Sequence, residues 1–328
     1  MKIVVLDGYT LNPGDNPWDE LAQLGDLEVH DRTSVEDVVP RAQGAEVLLT
    51  NKTPITGQAI ARLPHLRFIS VLATGYDVVD VKAAAQRGIP VSNVPVYGTD
   101  TVAEHVFALV LELARRTALH DQAVKAGGWW SQPDWCFWKV PLLELAGRTM
   151  GIVGFGRIGR RVGEIAHAFG MKVVANDTQR GSDPAYQPFE WMGLEELFGC
   201  SDFVTLHCYQ RPENVGFVNM KLLSNMKPTS FLINTSRGGL VNERDLALAL
   251  EKGILAGAAL DVVSQEPIRP DNPLLKAPNV IITPHIAWAT LEARRRLMKT
   301  TVENVKAFLA GKPQNVVNSS MLGPGDGA

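Results

Sequence analysis

The sequence predicts an α/β protein of two domains, each built on a parallel β-sheet that is flanked by helices. Short runs of β-branched and other apolar residues alternate with helical patterns along most of the chain, as in sheets whose parallel strands are connected by helices. After Gly98 the alternation is interrupted by a long helix, which is predicted from apolar residues at helical spacing. A chain of 328 residues is also long enough for two domains of ordinary size.

Four strands are predicted in the first part of the chain, at residues 2–7, 45–51, 67–73 and 90–95. A long helix follows, because Thr101 and Glu104 have the spacing of a capping box and an apolar stripe continues behind them. The stripe consists of Val102, Val106, Leu109, Val110 and Leu113. We place the first domain boundary at the start of this helix.

Six further strands are predicted at residues 149–154, 172–177, 202–208, 230–236, 256–262 and 280–284. The last helix begins near Thr290, carries Met298, Val302, Val305 and Leu309 at helical spacing, and ends at Gly311. If this helix packs back on the first domain, that domain is discontinuous. The tail at 318–328 is rich in Gly, Pro and Ser and is expected to be mobile.

Composition narrows the class of partner. A net charge of −3 without long basic runs predicts neither nucleic acid nor a membrane as a partner, so the ligand is expected to be a small molecule. The three cysteines have neither disulfide nor zinc spacing, so no metal site is expected and a reducing, cytoplasmic location fits. The amino terminus reaches Asp7 after one short apolar run and does not resemble a signal peptide.

The hexapeptide GFGRIG at residues 154–159 has the spacing of a dinucleotide-binding turn. The spacing is weak evidence by itself, but the context is complete: a strand precedes it, a helix follows, and Asp177 ends the next strand. Gly154 makes the tight turn, Gly156 lets the backbone approach a pyrophosphate, and Gly159 brings the helix close to the strand. A glycine turn in a nucleotide-free α/β protein is the alternative.

Asp177 predicts which coenzyme binds. Its carboxylate is positioned to accept hydrogen bonds from the adenosine ribose hydroxyls, and its charge would repel a 2′-phosphate. NAD is therefore predicted over NADP, although Arg180 nearby weakens that preference.

Three ionisable residues follow the ends of three predicted strands on the edge that holds the glycine turn: Arg237, Glu266 and His285. Histidine can give or take a proton near neutral pH, and a carboxylate can orient its ring. Arginine pairs bidentately with a carboxylate and can polarise a carbonyl. Together they indicate hydride transfer to or from a 2-keto or 2-hydroxy acid, although each alone could be an ordinary surface residue.

At this point the sequence resembles the D-isomer-specific 2-hydroxyacid dehydrogenase family. The matching segments are TGYDVVD (74–80), TVAEHVFALVLELAR (101–115), ELAGRTMGIVGFGRIG (144–159), INTSRGGLVNERDL (233–246), ALDVVSQEP (259–267) and TPHIAWAT (283–290). The resemblance implies two Rossmann-like domains. A NAD-binding domain at 100–286 is inserted into a discontinuous, flavodoxin-like substrate-binding domain made of 1–99 and 287–328.

The same resemblance implies roles for individual residues. Arg237 resembles the arginine that binds the substrate carboxylate, Glu266 the partner of the histidine, and His285 the acid/base. The backbone amides of Ala73, Thr74 and Gly75 correspond to a loop that approaches the substrate carboxylate. Positions that match coenzyme contacts are Thr101, Gly154, Gly156, Arg157, Ile158, Gly159, Asp177, His207, Thr235, Arg237, Asp261 and His285.

The segment GGWWSQPDWCFWKVP at 127–141 holds four of the seven tryptophans. Such a cluster more often packs in an interface than binds a ligand. In the family this region, about 120–145, is a dimerisation arm, so a homodimer is expected. A CFW-like run resembles the glycerate dehydrogenase and hydroxypyruvate reductase branch, in which an arm tryptophan can reach the partner's active site. Trp138 is the candidate, with Trp135 second.

The expected activity is therefore NAD-dependent reduction of hydroxypyruvate or glyoxylate to D-glycerate or glycolate. A dehydrogenase for another D-2-hydroxy acid, such as D-lactate, phosphoglycerate or a bulkier acid, is an alternative. An NAD-sensing interaction protein of the corepressor type, which shares this scaffold, is an alternative of another class.

Overall fold

The computed structural model describes residues 1–322 and separates into two compact units. One unit contains Met1–Gly98 together with the chain from Trp288 onward, and the other is Thr99–Ala287. Residues 323–328, which belong to the expected segment 287–328 and to the expected mobile tail, lie outside the described residues.

The first unit is built on a five-stranded parallel sheet in the order β2-β1-β3-β4-β5. Its strands are β1 (Lys2–Val5), β2 (Asp26–Val29), β3 (Val47–Thr50), β4 (Phe68–Val71) and β5 (Val91–Ser92). Its helices are α1 (Asp19–Ala22), α2 (Val38–Arg41), α3 (Gly57–Ala61), α4 (Val81–Gln86) and α11 (Leu291–Leu309). The central strands β3 and β4 are buried along their whole length because helices cover both faces.

The strand β2 was not predicted. Its sequence, DLEV, carries two acids, and only Leu27 is partly buried. It lies at the edge of the sheet and pairs with β1 alone, so it needs no continuous apolar run. The four predicted strands of this unit are confirmed, with shorter ends.

The helix α11 packs on this sheet. Leu297, Met298, Val302 and Val305 lie in one apolar cluster with residues of β1, β3 and β4, whereas Leu309 is exposed. Thr290 caps the helix by accepting a hydrogen bond from the amide of Ala293. The helix predicted from Thr290 is therefore confirmed, and its buried stripe ends one turn early.

The mobility of the tail stays a prediction, but the first residue of the tail is buried and hydrogen-bonded. Asn318 is fully buried, and its side chain makes three hydrogen bonds with the backbone of residues 81–91 in the same unit. Its Oδ1 accepts from the amide of Val91 at 2.9 Å, and its Nδ2 donates to the carbonyls of Ile89 at 3.0 Å and Val81 at 3.4 Å. The sequence does not show that the side-chain amide of a polar residue in a Gly/Pro/Ser-rich stretch pairs with the edge strand of a sheet.

The second unit is built on a seven-stranded parallel sheet in the order β12-β11-β10-β9-β6-β7-β8. Its strands are β6 (Thr149–Val153), β7 (Lys172–Asn176), β8 (Phe189–Trp191), β9 (Phe203–Leu206), β10 (Phe231–Asn234), β11 (Gly257–Leu260) and β12 (Val280–Ile282). Its helices are α5 (Thr99–Arg115), α6 (Thr117–Ala123), α7 (Arg157–Ala168), α8 (Leu194–Cys200), α9 (Met220–Leu223) and α10 (Glu243–Glu251). Short helical turns lie at Val124–Gly128, Pro212–Asn214, Gly238–Leu240 and Pro273–Leu275, with a further one at Ser319–Met321 in the first unit.

Two sequence-based details of this unit are corrected. The edge strand β8 was not predicted, because three residues with one polar centre carry no periodic signal. The helix α5 begins at Thr99, so Thr101 lies inside it and is not its cap. The Thr101 hydroxyl instead donates to the carbonyl of Ala287 at 3.3 Å.

The order of strands reverses beside β6, which pairs with β7 on one side and β9 on the other. In open α/β sheets, ligands bind outside the carboxyl ends of the strands at such a switch point. Within residues 1–322, no helix combines the length and apolar character needed to cross a membrane.

Replacement of Asn318 tests the buried tail. Asn318→Ala removes the partners of the Val91 amide and the Ile89 carbonyl, so we expect it to lower the free energy of unfolding by about 3 kcal/mol. Thermal and urea denaturation measure the change. Ser320→Ala, at an exposed position two residues further on, is the matched control and should leave stability unchanged. Equal stability of the two variants would contradict the buried contacts.

Candidate active site

The glycine turn after β6 has a backbone that only glycine accommodates. Gly154 has a φ of 92°, and a Cβ there would lie 2.5 Å from the backbone nitrogen of Cys208. A Cβ on Gly159 would lie 2.1 Å from the carbonyl oxygen of Gly154. Backbone atoms of the turn therefore lie in direct contact with the backbone of α7 and of the chain after β9.

Gly156, the middle glycine, faces open space instead. A Cβ at this position would meet nothing within 4 Å, and Gly156 precedes α7 without a side-chain cap. The amino end of α7, at Arg157 and Ile158, is therefore open on this edge. Backbone amides and the helix dipole favour an anion at such an end.

Asp177 ties the end of β7 to the glycine turn. Its Oδ2 accepts a hydrogen bond from the amide of Phe155 at 2.7 Å, and its Oδ1 accepts one from the amide of Gln179 at 3.2 Å. The carboxylate is half-buried beside the turn. The guanidinium of Arg180 lies 6.0 Å from the centre of the Trp191 ring.

His207 and Thr235 follow the neighbouring strands β9 and β10. Burial lowers the pKa of His207 to about 3, so its ring is neutral near pH 7, and Nε2 lies 2.9 Å from Oγ1 of Thr205. Thr235 is buried, and its hydroxyl has no hydrogen-bond partner among the residues that the structure describes. Buried hydroxyls are rarely left unpaired, so Thr235 is a group that a bound ligand can satisfy.

Arg237 stands on a loop that packs directly against the next one. Its Nη1 donates to the carbonyl of Ser236 at 2.9 Å, and its own carbonyl accepts from Nδ2 of Asn234 at 2.8 Å. A Cβ on Gly238 would lie 1.9 Å from the carbonyl carbon of Val263. The loop that carries Arg237 is therefore pressed against the loop that carries Glu266.

Glu266 and His285 form a hydrogen-bonded pair. Oε2 of Glu266 lies 2.7 Å from Nδ1 of His285, and Oε1 accepts from the amide of Val263 at 3.3 Å. Because a carboxylate can only accept, this contact assigns the proton to Nδ1. The second ring nitrogen, Nε2, is then the one that can exchange a proton with a ligand.

The segment after β12 gives His285 an unusual backbone. Its φ is 56°, in the left-handed region that a non-glycine residue seldom occupies. The amide of His285 donates to the carbonyl of Asp261 at 2.8 Å. Asp261 is buried, with 1% of the residue exposed. Its carboxylate accepts hydrogen bonds from the amides of Ile286 and Ala287, both at 2.9 Å. Asp261 thus supports the histidine segment, and its contact with a coenzyme stays a prediction.

Sequence reasoning did not single out Glu243, the first residue of α10. Its Oε1 accepts from the amide of Ser264 at 2.6 Å, and its Oε2 accepts from the Ser264 hydroxyl at 2.8 Å and from Nδ2 of Asn272 at 2.9 Å. The carboxylate therefore holds the segment that contains Glu266. An acid in the first turn of a helix is common for electrostatic reasons alone, so the sequence carries no signal for this second role.

The residues expected at the substrate carboxylate belong to the first unit. The carbonyl of Ala73 accepts from the amide of Val94 at 3.0 Å, and Oγ1 of Thr74 donates to the carbonyl of Val94 at 2.8 Å. Nδ2 of Asn93 donates to the carbonyl of Thr74 at 2.7 Å, and Gly75 is the next residue in the chain. The loop is thus held by its carbonyls and one hydroxyl.

The tryptophan segment follows α6 and is exposed. Trp130, Trp135 and Trp138 are 79%, 86% and 66% exposed, respectively. The ring of His120 anchors the segment, because Nε2 accepts from the amide of Lys139 at 3.0 Å and Nδ1 lies 2.7 Å from the carbonyl of Arg116. Exposed tryptophans that rest on an anchored backbone are typical of an interface.

Among residues 1–322, no group of three or more His, Cys, Asp or Glu side chains could hold a metal ion.

The family comparison agrees with the motifs. The sequence pattern described as "D-isomer specific 2-hydroxyacid dehydrogenase, NAD binding domain" matches residues 107–287. The chain is 50% identical, over 97% of its length and 100% of the relative's length, to a hydroxypyruvate reductase of Blautia hydrogenotrophica. These similarities confirm the resemblance that the motifs predicted.

Solved structures share the fold. A D-lactate dehydrogenase from Aquifex aeolicus, complexed with NAD and lactic acid, is 30% identical with a TM-score of 0.83, over 99% of this chain and 100% of that one. An NADPH-dependent glyoxylate/hydroxypyruvate reductase from Sinorhizobium meliloti, in complex with NADP and malonate, is 28% identical with a TM-score of 0.82, over 96% of both chains. The two α/β domains with parallel sheets are thereby confirmed, and the two structures differ in their coenzyme.

Two glycine variants separate folding from ligand binding at the turn. Gly159→Ala places a methyl group 2.1 Å from the Gly154 carbonyl, so we expect a loss of about 3 kcal/mol in the free energy of unfolding. Gly156→Ala meets no neighbour and should fold normally, while its Kd for NADH rises on the order of tenfold because the methyl group occupies the backbone face that a pyrophosphate approaches. Denaturation and fluorescence titration measure the two effects. Normal NADH binding by Gly156→Ala would contradict the predicted cradle.

Proposed function

Since the chain belongs to the D-isomer-specific 2-hydroxyacid dehydrogenases, we propose that it is a NAD(H)-dependent reductase of hydroxypyruvate and glyoxylate, with D-glycerate and glycolate as products. The observation that carries the proposal is the Glu266–His285 pair at the carboxyl edge of the sheet that bears the glycine turn. The similarity to the hydroxypyruvate reductase of Blautia hydrogenotrophica supports the choice of substrates.

The residues at the switch point fit a dinucleotide. Gly156 leaves open space above the amino end of α7, and Thr235 has a buried hydroxyl without a hydrogen-bond partner among the described residues. The glycine turn and α7 would hold the pyrophosphate, and Asp177 would hold the adenosine ribose. His207 and Thr235 would contact the part of the dinucleotide that lies nearer to Arg237. When bound, a reduced nicotinamide supplies the hydride that a keto carbon accepts.

His285 supplies the proton in this proposal. Reduction of a ketone creates an alkoxide, and Nε2 of a protonated His285 donates to that oxygen. Glu266 holds Nδ1 and stabilises the cationic ring before the transfer. In the direction of oxidation the same nitrogen removes the hydroxyl proton, so one residue serves both directions.

Arg237 accounts for the preference for a 2-keto acid. Its planar guanidinium can pair with the substrate carboxylate or polarise the reacting carbonyl, and its loop is fixed against the Glu266 loop through Gly238. By the same family resemblance, the backbone amides of Ala73, Thr74 and Gly75 would donate to the substrate carboxylate. The carbonyls of Ala73 and Thr74 accept hydrogen bonds from the amide of Val94 and from Nδ2 of Asn93, which fixes this loop.

We favour NAD over NADP as the coenzyme because of Asp177. A carboxylate beside the glycine turn accepts hydrogen bonds from ribose hydroxyls and repels a 2′-phosphate. Arg180, three residues after Asp177, is a cation that could favour a 2′-phosphate. Its guanidinium lies toward Trp191.

The exposed tryptophan segment supports a homodimer in the same proposal. Trp135 and Trp138 expose large apolar surfaces that a second copy of the chain would cover. Trp138 would then reach the substrate site of the partner, with Trp135 as the second candidate. The three free cysteines agree with a reducing location such as the cytoplasm.

Steady-state kinetics test the activity. We expect NADH-dependent reduction of hydroxypyruvate and glyoxylate with a higher kcat/KM than for pyruvate or phosphohydroxypyruvate, and a lower kcat/KM with NADPH. His285→Gln should lose at least about 1000-fold in kcat, because the proton donor is absent, while its Kd for NADH stays within about twofold. Turnover that survives in His285→Gln would refute the acid/base role. NADH binding without wild-type turnover on any keto acid would favour the corepressor-like alternative.

Trp138→Ala tests the arm. We expect kcat/KM for hydroxypyruvate to fall about tenfold with unchanged NADH affinity, because the side chain would contact substrate in the partner's site. Trp130→Ala, in the same segment and even more exposed than Trp138, is the matched control and should retain the specificity constant. Sedimentation velocity on both variants reports whether the dimer persists. An unchanged specificity constant in Trp138→Ala would remove the substrate role from this residue.

A further inference from the structure

The bent segment that carries His285 depends on one buried carboxylate. His285 has its φ at 56°, and the amides of the two residues behind it, Ile286 and Ala287, both donate to Asp261. A left-handed backbone at a bulky residue persists only where its surroundings impose it. The orientation of the Asp261 carboxylate therefore determines where the imidazole stands.

The Asp261 carboxylate is itself oriented by side chains. The hydroxyl of Thr283 donates to Oδ1 at 2.6 Å. Nε2 of His105, on α5, lies 3.2 Å from that hydroxyl oxygen and 3.5 Å from Oδ1. Because Thr283 has already given its proton to Asp261, its oxygen accepts from His105, and Nε2 of His105 carries the hydrogen.

The charge at this cluster follows from the same contacts. Burial raises the pKa of the Asp261 carboxyl, but the hydrogen bonds from His105, Thr283 and the two amides outweigh burial and keep it below its ordinary value. The carboxylate is thus an anion enclosed by donors, and each donor restricts how it can turn. The imidazole of His105 is mostly enclosed, with its side chain 18% exposed.

The helix α5 holds the same segment at a second point. Thr101, one turn before His105, donates from Oγ1 to the carbonyl of Ala287 at 3.3 Å. Residues at this spacing lie on one face of a helix, so Thr101 and His105 together press α5 against the segment 283–287. The apolar stripe predicted for α5 includes neither Thr101 nor His105, and the family resemblance implied only a coenzyme contact for Thr101.

We propose that His105 is a positioning residue for His285, acting through the Thr283 hydroxyl and the Asp261 carboxylate. The proposal rests on the proposed acid/base function of His285. Loss of the His105 donor frees the Thr283–Asp261 pair to rotate, which loosens the amides of Ile286 and Ala287 and lets the His285 ring leave its working position. Hydrogen-bonded partners of this indirect kind typically change activity by about 10–100-fold when they are removed.

Two variants of His105 and one control test the proposal. His105→Leu removes the donor, His105→Gln keeps an N–H donor of similar reach, and His167→Leu removes an exposed histidine from α7. The first readout is hydrogen exchange of the backbone amides of Ile286 and Ala287 in the protein without added substrate. The second is kcat for hydroxypyruvate reduction, with thermal denaturation of each variant alongside.

We expect His105→Leu to exchange both amides at least about tenfold faster and to lose about tenfold in kcat, while His105→Gln and His167→Leu stay within about threefold of the parent protein. Unchanged exchange or unchanged kcat in His105→Leu would overturn the proposal. Faster exchange throughout the second unit would also overturn it, because it would indicate general loosening. If the parent protein reduced no keto acid, the proposed function would fail, and the exchange rates would still decide whether His105 holds the segment.

Discussion

The seven strands of the larger sheet run in one direction, so the chain leaves every strand at the same edge. Asp177, His207, Thr235, Asp261 and the His285 segment follow different strands, and their distances along the chain would otherwise separate them. The reversal of strand order beside β6 opens a crevice at that edge. The chemistry of the protein depends on this geometry more than on any individual contact.

Close backbone approaches convert the shared edge into a compact site. Gly154, Gly159 and Gly238 each stand where a Cβ would collide with neighbouring backbone. The first two bring β6, α7 and the chain after β9 together, and the third presses the Arg237 loop against the Glu266 loop. Gly156 differs, since its missing side chain leaves space for a ligand. Within the glycine turn, Gly154 and Gly159 thus allow close backbone packing, and Gly156 keeps the space beside the backbone open.

Three carboxylates, of which Asp261 is buried, Glu243 half-buried and Glu266 exposed, hold the loops that the sheet leaves unpaired. Glu266 orients His285, Asp261 folds the segment around it, and Glu243 anchors the chain that leads to Glu266. Each carboxylate accepts two or more hydrogen bonds from backbone amides or side chains, which offsets the cost of removing its charge from water. The Glu266–His285 pair is therefore one part of a larger arrangement in which acids receive backbone donors.

The amino-acid sequence alone predicted the fold class, the glycine turn with Asp177, and the three residues Arg237, Glu266 and His285. These features are local: a period of apolar residues, a fixed glycine spacing, or a residue type directly after a strand. It did not reveal the edge strands β2 and β8, whose few polar residues carry no period, or the burial of Asn318, whose partners lie on α4, on β5 and in the chain between them. The support that His105 and Glu243 give to the site emerges only in the folded chain, because hydrogen bonds between residues far apart in the chain have no spacing to detect.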